Sequence, residues 1–116
     1  MRVTITDYSF GRVKVGNELY TNDIILYRGE VTSWWREEGH MLKLKDIEQT
    51  MANKPSYIVI GTGYYGAMKV SDEVVRKSDE LGIKLIIRKS EEACNLYNKL
   101  LDQGHEDVVL AIHLTC

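Results

Sequence analysis

The sequence predicts an α/β fold in three layers, built as one domain over residues 1–116 around a mixed central sheet. Two observations lead to this prediction. Short segments of alternating polar and apolar residues fill the first 33 positions, which is typical of antiparallel strands with one solvated face. From residue 57 onward, nearly continuous apolar segments alternate with amphipathic helical patterns, which is typical of buried parallel strands joined by helices.

The first half of the chain is predicted to be an antiparallel meander followed by a short helix. Glycine-containing dipeptides, such as Gly16-Asn17, separate the strands as turns. The predicted strands cover residues 3–7, 12–15, 18–20, 23–27 and 31–33. A helix is predicted from Asp46, whose carboxylate would accept the N–H of Gln49, to about Asn53, because Pro55 disfavours helical backbone just before it.

The second half is predicted to form βαβαβ parallel units. Strands are predicted over residues 57–60, 83–87 and 108–114, which are apolar and rich in β-branched side chains. Ser71 and Ser90 are the predicted N-caps of the two intervening helices, and Gly82 and Gly104 the glycines that end them. Parallel pairing puts the carboxyl ends of these strands at one edge of the sheet.

Composition narrows the classes of function. The chain is 44% hydrophobic and 28% charged, as in ordinary globular proteins, and its net charge is -2. This balance gives no basic field for nucleic acid or anionic lipid, and no apolar run approaches the roughly 20 residues of a membrane span. Cys94 and Cys116 form no close-spaced motif, so the sequence predicts a reducing, cytoplasmic setting. Neither a cofactor nor a metal is predicted.

A glycine-rich segment after the strand at residues 57–60 is the most distinctive local pattern. Its spacing is GxGxxG, in which backbone N–H groups approach a phosphate in dinucleotide-binding proteins. Three interpretations are open: a tight turn that needs positive φ, a small anion site, or a dinucleotide site. If the strand ends converge, an anionic ligand with a phosphate or nucleotide group would contact all of them. The ligand-binding candidates are Gly61, Thr62, Gly63, Tyr64, Tyr65, Gly66, Arg88, His113 and Thr115.

Catalytic chemistry has weak support in the sequence. His113 and Cys116 are spaced to act as a base and a nucleophile or as two metal ligands. No residue can be assigned to orient the histidine, and too few further ligands accompany the pair. The prediction is therefore no catalytic residue, with His113 as a hydrogen-bonded histidine near the core.

A second candidate region is aromatic. Neighbouring side chains on an extended segment point to opposite faces, so one of Trp34 and Trp35 is expected in the core and the other at the surface. Trp, Tyr and Arg are enriched at interface hot spots. The interface candidates are Trp34, Trp35, Arg36 and His40.

Several stretches together resemble a family of domains. They are Tyr8-Ser9-Phe10-Gly11, Asp23-Ile24-Ile25, Trp34-Trp35-Arg36 with Gly39-His40, residues 60–66, Ala93 with Tyr97-Asn98, and His113-Leu114-Thr115-Cys116. They resemble the domain shared by archaeal and bacterial proteins of unknown function, a mitochondrial complex I assembly factor and an adipogenesis-associated vertebrate protein. The resemblance implies a three-layer α/β fold with a mixed sheet and no established catalytic residues. For the mitochondrial members it implies an assembly or scaffolding role.

The functional expectation is a non-catalytic binding or assembly module with an unidentified protein partner, and neither nucleic acid nor a membrane as its target. The alternative is a protein, or an enzyme, that binds a small anionic molecule at the carboxyl ends of the parallel strands. A homodimer that covers its own exposed aromatic residues is a third alternative.

Overall fold

A five-stranded mixed sheet lies at the centre of the computed structural model, which describes residues 3–116. The strands are β1 (Ile5–Ser9), β2 (Arg12–Val15), β3 (Glu18–Tyr20), β4 (Ile24–Tyr27), β5 (Glu30–Ser33), β6 (Met41–Leu42), β7 (Tyr57–Thr62), β8 (Lys69–Val70), β9 (Lys84–Arg88) and β10 (Val108–His113). The helices are α1 (Glu48–Ala52), α2 (Asp72–Glu80) and α3 (Ser90–Asp102), and a 3-10 turn covers Leu44–Asp46.

The central sheet has the strand order β5-β4-β10-β7-β9. Strands β10, β7 and β9 pair in parallel, whereas β4 is antiparallel to β10 and β5 is antiparallel to β4. All six residues of β10 are buried, and so are the last five of β7. Strands buried on both faces need continuous apolar sequence, which is the pattern that predicted them. The predicted mixed central sheet is therefore confirmed.

Two apolar clusters cover the two faces of this sheet. One joins α3 and strands β1 and β2 to the first face, and the other joins α1, α2 and Trp34 to the second face. The largest buried side chain of the first cluster is Tyr97, on α3. The molecule thus has three layers, with the central sheet in the middle.

The N-terminal strands depart from the prediction of one continuous meander. Strands β1, β2 and β3 form a separate antiparallel sheet, and only β4 and β5 join the central one. Helix α3 contacts both β1 and the central sheet. Its Asn98 accepts the N–H of Ile5 at 2.9 Å and donates to the carbonyl of Ile5 at 2.7 Å. The Asn98 side chain therefore makes the backbone hydrogen bonds to Ile5 that a neighbouring strand would otherwise make.

Ser71 is the N-cap of α2, as predicted, but the starts of α1 and α3 differ from the predicted caps. The carboxylate of Asp46 accepts the N–H of Lys43 at 3.0 Å instead of the N–H of Gln49, because a 3-10 turn precedes α1. Helix α3 begins at Ser90 itself with Lys89 as its N-cap, which leaves the Ser90 hydroxyl free for the contacts described below. The short strands β6 and β8 pair with each other and have two residues each, too few for any periodicity in the sequence.

Candidate functional site

A cleft of about 400 Å3 lies at the carboxyl end of β10. Its lining combines an exposed indole, three ionisable side chains and several hydroxyl and amide groups. The lining residues are Thr21, Asn22, Asp23, Ser33, Trp34, Trp35, Arg36, His113 and Thr115. We call it the β10 cleft.

Strand register brings the ionisable residues of the β10 cleft together. Ile24 of β4 lies opposite Ile112 of β10, so Asp23 and His113, one position beyond each, are also neighbours. The N–H of Leu114 donates to Asp23 Oδ1 at 2.8 Å. The N–H of Trp34 donates to the Asp23 carbonyl at 2.9 Å, which anchors the segment that leads to Arg36.

Asp23, Arg36 and His113 form a compact group that we call the ionic cluster. Arg36 Nη1 lies 2.8 Å from Asp23 Oδ2, and His113 Nδ1 lies 2.8 Å from the same oxygen. Arg36 Nη2 lies 3.0 Å from His113 Nδ1 and donates to the carbonyl of Gly39 at 3.2 Å. Side-chain exposure is only 4% for Arg36, 8% for His113 and 19% for Asp23. Three ionisable groups are thus held almost out of water.

The surroundings of the ionic cluster favour the charged form of Asp23, and they place Arg36 beside an aromatic ring. Burial alone would raise the pKa of Asp23, but hydrogen bonds from His113, from the Leu114 N–H and from Arg36 together hold it below its ordinary value. The guanidinium carbon of Arg36 lies 4.7 Å from the ring centre of buried Trp34, within cation–π range. Trp34 is itself fixed by a 3.0 Å hydrogen bond from Nε1 to the carbonyl of Asp46.

The glycine-rich segment, residues 61–66, uses its N–H groups within the chain. Gly63 N–H donates to Ser90 Oγ at 2.8 Å, and Tyr64 N–H donates to the Thr115 carbonyl at 3.1 Å. The N–H of Tyr65 donates to the Cys116 carbonyl at 3.3 Å, and that of Gly66 to the Gly63 carbonyl at 3.2 Å. An anion site needs N–H groups that point at the ligand. Here these N–H groups already have acceptors in the protein, and this loop clasps residues 115 and 116.

The glycines at 61 and 63 have packing reasons. A Cβ on Gly61 would lie 2.9 Å from Ser90 Oγ, and one on Gly63 would lie 2.4 Å from the Thr115 carbonyl oxygen. Gly63 also has a φ of +111°. Thr62 is buried and donates to the Arg88 carbonyl at 3.1 Å. Positive φ and close backbone approach agree with the tight-turn interpretation of the motif.

The three strand ends meet at one edge, as predicted, but Arg88 takes no part in the β10 cleft. Ser90 Oγ joins the ends, because it accepts from the Gly63 N–H and donates to the His113 carbonyl at 2.5 Å. The Arg88 side chain is exposed and its Nη1 donates to the Ile87 carbonyl at 2.8 Å. His113 and Thr115, by contrast, both line the β10 cleft.

The predicted interface residues divide between core and surface. Trp34 is buried at 5% exposure and Trp35 is 80% exposed, which settles the direction of each indole. The Arg36 side chain is buried in the ionic cluster, so of the four predicted interface residues only Trp35 and His40 are exposed. The His40 ring lies 6.3 Å from that of His113, centre to centre.

Three other aromatic side chains form an exposed patch that we call the aromatic surface. They are Phe10, in the turn between β1 and β2, and Tyr64 and Tyr65 of the glycine-rich segment, which are 51%, 43% and 70% exposed. Their ring centres lie 5.0 to 6.2 Å apart. The N–H of Gly11 donates to the Leu114 carbonyl at 2.9 Å, so residues 114–116 support both parts of the patch.

Sequence reasoning missed Asp23 and Ser90. The sequence pattern predicts Asp23 only as part of a strand and Ser90 only as a helix cap. An acidic residue at the start of an apolar strand was the available sign for Asp23, because a buried carboxylate needs a partner. No comparable sign marked Ser90, whose contacts depend on the packing of β7 against α3.

The fold and the β10 cleft define a three-layer α/β protein with a polar cleft at the carboxyl end of its central strand. The chain belongs to a protein family of unknown function, DUF498/DUF598, whose model matches residues 5–113. No helix within residues 3–116 has both the length and the apolar character needed to cross a membrane. The same residues contain no group of three or more His, Cys, Asp or Glu side chains arranged to hold a metal.

Solved structures support the fold. A protein named MT938 is 26% identical with a TM-score of 0.83, and the match covers 99% of this chain and 100% of that one. The conserved hypothetical protein PH1505 from Pyrococcus horikoshii OT3 is 24% identical with a TM-score of 0.87, over 97% and 99% of the two chains. A Mth938-like domain protein from Bordetella pertussis is 21% identical with a TM-score of 0.78, over 97% and 85%.

Proposed function

We propose that the protein is a non-catalytic binding module that docks a protein partner on the aromatic surface. The observation that carries this proposal is that Phe10, Tyr64 and Tyr65 are exposed, packed against one another and mounted on hydrogen-bonded backbone. Aromatic side chains are enriched among the residues that contribute most to protein interfaces. Because the supporting loop is already ordered, docking there would cost little conformational entropy.

The kind of partner follows from charge. The net charge of -2 disfavours nucleic acid and anionic lipid, so a protein is the favoured partner of an exposed aromatic patch. The assembly or scaffold role that the family resemblance suggests is a form of this proposal. Both cysteines are free thiols, as expected in a reducing compartment, and the cytoplasm remains the proposed location.

The test compares two double variants in quantitative affinity purification from cells. Phe10→Ala with Tyr65→Ala removes the centre of the aromatic surface. Leu19→Ala with Val75→Ala removes two exposed apolar side chains elsewhere, which are 49% and 39% exposed. A partner that is lost with the first variant and kept with the second supports the proposal, provided that circular dichroism shows both folded. A partner retained equally by both variants contradicts it.

A second copy of the chain is the alternative occupant of the aromatic surface. Light scattering on the purified protein distinguishes the two cases. A dimer that the Phe10→Ala, Tyr65→Ala variant converts to a monomer would assign the surface to self-association. A monomer at every concentration would leave the surface to another protein.

A second candidate function is the binding of a small anionic molecule in the β10 cleft. The observation that favours it is the ionic cluster, because buried ionisable groups beside a cleft are characteristic of binding and catalytic sites. The site differs from the predicted one at the carboxyl ends of the parallel strands, which combined the glycine-rich segment and Arg88 with His113 and Thr115. Of those candidates, only His113 and Thr115 line the β10 cleft.

A further inference from the structure

Two buried polar atoms of the ionic cluster have no partner among residues 3–116. They are Arg36 Nε and His113 Nε2. Arg36 Nη1, by contrast, has Asp23 Oδ2 as its ion-pair partner at 2.8 Å. Buried polar atoms nearly always have partners, so two unpartnered atoms in adjacent side chains indicate where polar groups of a ligand belong.

The neighbours of His113 decide what its free nitrogen offers. A carboxylate can only accept hydrogen bonds, so the 2.8 Å contact with Asp23 Oδ2 assigns a proton to His113 Nδ1. Arg36 Nη2 lies 3.0 Å from the same nitrogen but cannot donate to it once Nδ1 carries a proton, so the acceptor of Nη2 is the Gly39 carbonyl. His113 Nε2 therefore carries a lone pair in the neutral ring and becomes a hydrogen-bond donor when the ring takes up a second proton.

Charge balance indicates the charge of the ligand. Within residues 3–116, the charged or titratable side chains that face His113 are Asp23, Arg36 and the ring of His40. The charges of Asp23 and Arg36 cancel, so one proton on His113 gives the cluster a single positive charge. A monoanion matches that charge, whereas a dianion would meet the repulsion of the Asp23 carboxylate.

The rest of the β10 cleft suits a flat organic body. The Trp35 indole is 80% exposed and forms one wall, available for stacking. Hydroxyl and amide groups of Thr21, Asn22 and Thr115 line the cleft around it. The volume of about 400 Å3 is within the range of about 300–1,000 Å3 typical of small-molecule sites.

We propose that the β10 cleft binds a small monocarboxylate with a planar body, together with one proton that is taken up by His113. The carboxylate accepts hydrogen bonds from His113 Nε2 and from Arg36, and the planar body stacks on Trp35. Because Arg36 Nε and His113 Nε2 have almost no accessible surface, the side chains of Arg36 and His113 must shift toward the β10 cleft, which both residues line, to meet the carboxylate. This inference rests on the second candidate function.

The experiment is a titration of the 15N-labelled protein with benzoate and phenylacetate, followed by NMR. Benzamide serves as the neutral matched probe and phenyl phosphate as the dianionic one. The carboxylates are expected to shift the Trp35 indole N–H and the His113 ring signals, and to bind about tenfold more tightly than benzamide, since a hydrogen bond to a charged group contributes about 1.5–3 kcal/mol. Calorimetry in two buffers of different ionisation enthalpy is expected to report proton uptake.

Variants locate the site. Trp35→Ala and Arg36→Lys are each expected to weaken benzoate binding by about tenfold or more, since Lys keeps the charge of Arg36 but changes its geometry. Tyr65→Ala, an exposed aromatic residue outside the β10 cleft, is expected to leave binding unchanged. Circular dichroism and the Trp34 indole signal check that each variant is folded.

Each outcome bears on a different step. Equal binding of benzamide and benzoate would overturn the proposed recognition of a carboxylate group. Tighter binding of phenyl phosphate would overturn the proposed preference for a monoanion. Either result would leave the β10 cleft as a binding site. Binding without proton uptake would overturn the role of His113. No shift with any of the four probes would overturn the inference and count against the second candidate function as well.

Discussion

The glycine-rich segment and the ionic cluster lie at the same edge of one sheet, but their polar groups are satisfied to different degrees. The N–H groups of Gly63, Tyr64 and Tyr65 all donate to acceptors within the chain. In the ionic cluster, Arg36 and His113 hold unpartnered atoms despite being more deeply buried than ordinary charged residues. A backbone motif thus indicates a ligand only when its donors have no other acceptor.

The largest expected effect distinguishes the ionic cluster from surface ion pairs. Asp23→Asn removes the charge opposite Arg36, whose side chain is 4% exposed, and leaves that charge buried without compensation. The expected loss of stability is about 3–5 kcal/mol. Urea denaturation followed by circular dichroism measures it.

The matched control for this prediction is Glu37→Gln. Glu37 pairs with Lys43 and Lys45, and all three side chains are at least one-third exposed. Glu37→Gln is expected to lose much less stability than Asp23→Asn, because exposed pairs are solvated and screened by salt. Equal losses for the two variants would mean that the ionic cluster carries no uncompensated buried charge.

The next prediction concerns the clasp between the glycine-rich segment and residues 115–116. Gly63→Ala places a Cβ 2.4 Å from backbone atoms at a φ of +111°, so a loss of about 3 kcal/mol or more is expected. Gly82→Ala is the control, because its φ is +72° but nothing lies within 4 Å, and only the cost of about 1 kcal/mol for positive φ is expected. The two variants are compared by thermal unfolding. Equal midpoints would contradict the claim that the close contact with residues 115 and 116 requires glycine at position 63.

The elements of the fold could be predicted from the sequence, but their pairing and the site could be predicted only in part. Strands β7 and β10 are apolar over their whole length, so local sequence determines them. The separation of β1 from the central sheet depends on Asn98, which lies 93 positions from Ile5. The ionic cluster likewise depends on strand register and on the irregular path of residues 34–40, which no local pattern encodes.

A smaller effect tests the serine that links the two regions. Ser90→Ala removes the acceptor of the Gly63 N–H and the donor to the His113 carbonyl, so about 1–3 kcal/mol is expected. Ser78→Ala is the buried control. Ser78 only donates to the Val74 carbonyl one helical turn earlier, so Ser78→Ala is expected to lose about 1 kcal/mol of stability or less. If chemical denaturation gives the same loss for both, Ser90 does not connect the strand ends.

The smallest expected effect is the pH dependence that Asp23 contributes. Its pKa in the folded protein is lowered, because hydrogen bonds from His113, Leu114 and Arg36 outweigh burial. The unfolded chain therefore binds a proton first, near the ordinary pKa of about 3.9. The stabilisation is present above that value and is lost as the pH falls through the lowered folded pKa.

The wild type should lose stability more steeply than Asp23→Asn between about pH 4 and 3, by at most about 1.4 kcal/mol per pH unit. Urea denaturation at 0.5 M salt (~4–5 Å screening length) suppresses the contribution of exposed Glu37, and parallel curves for wild type and Asp23→Asn would exclude the proposed charge on Asp23.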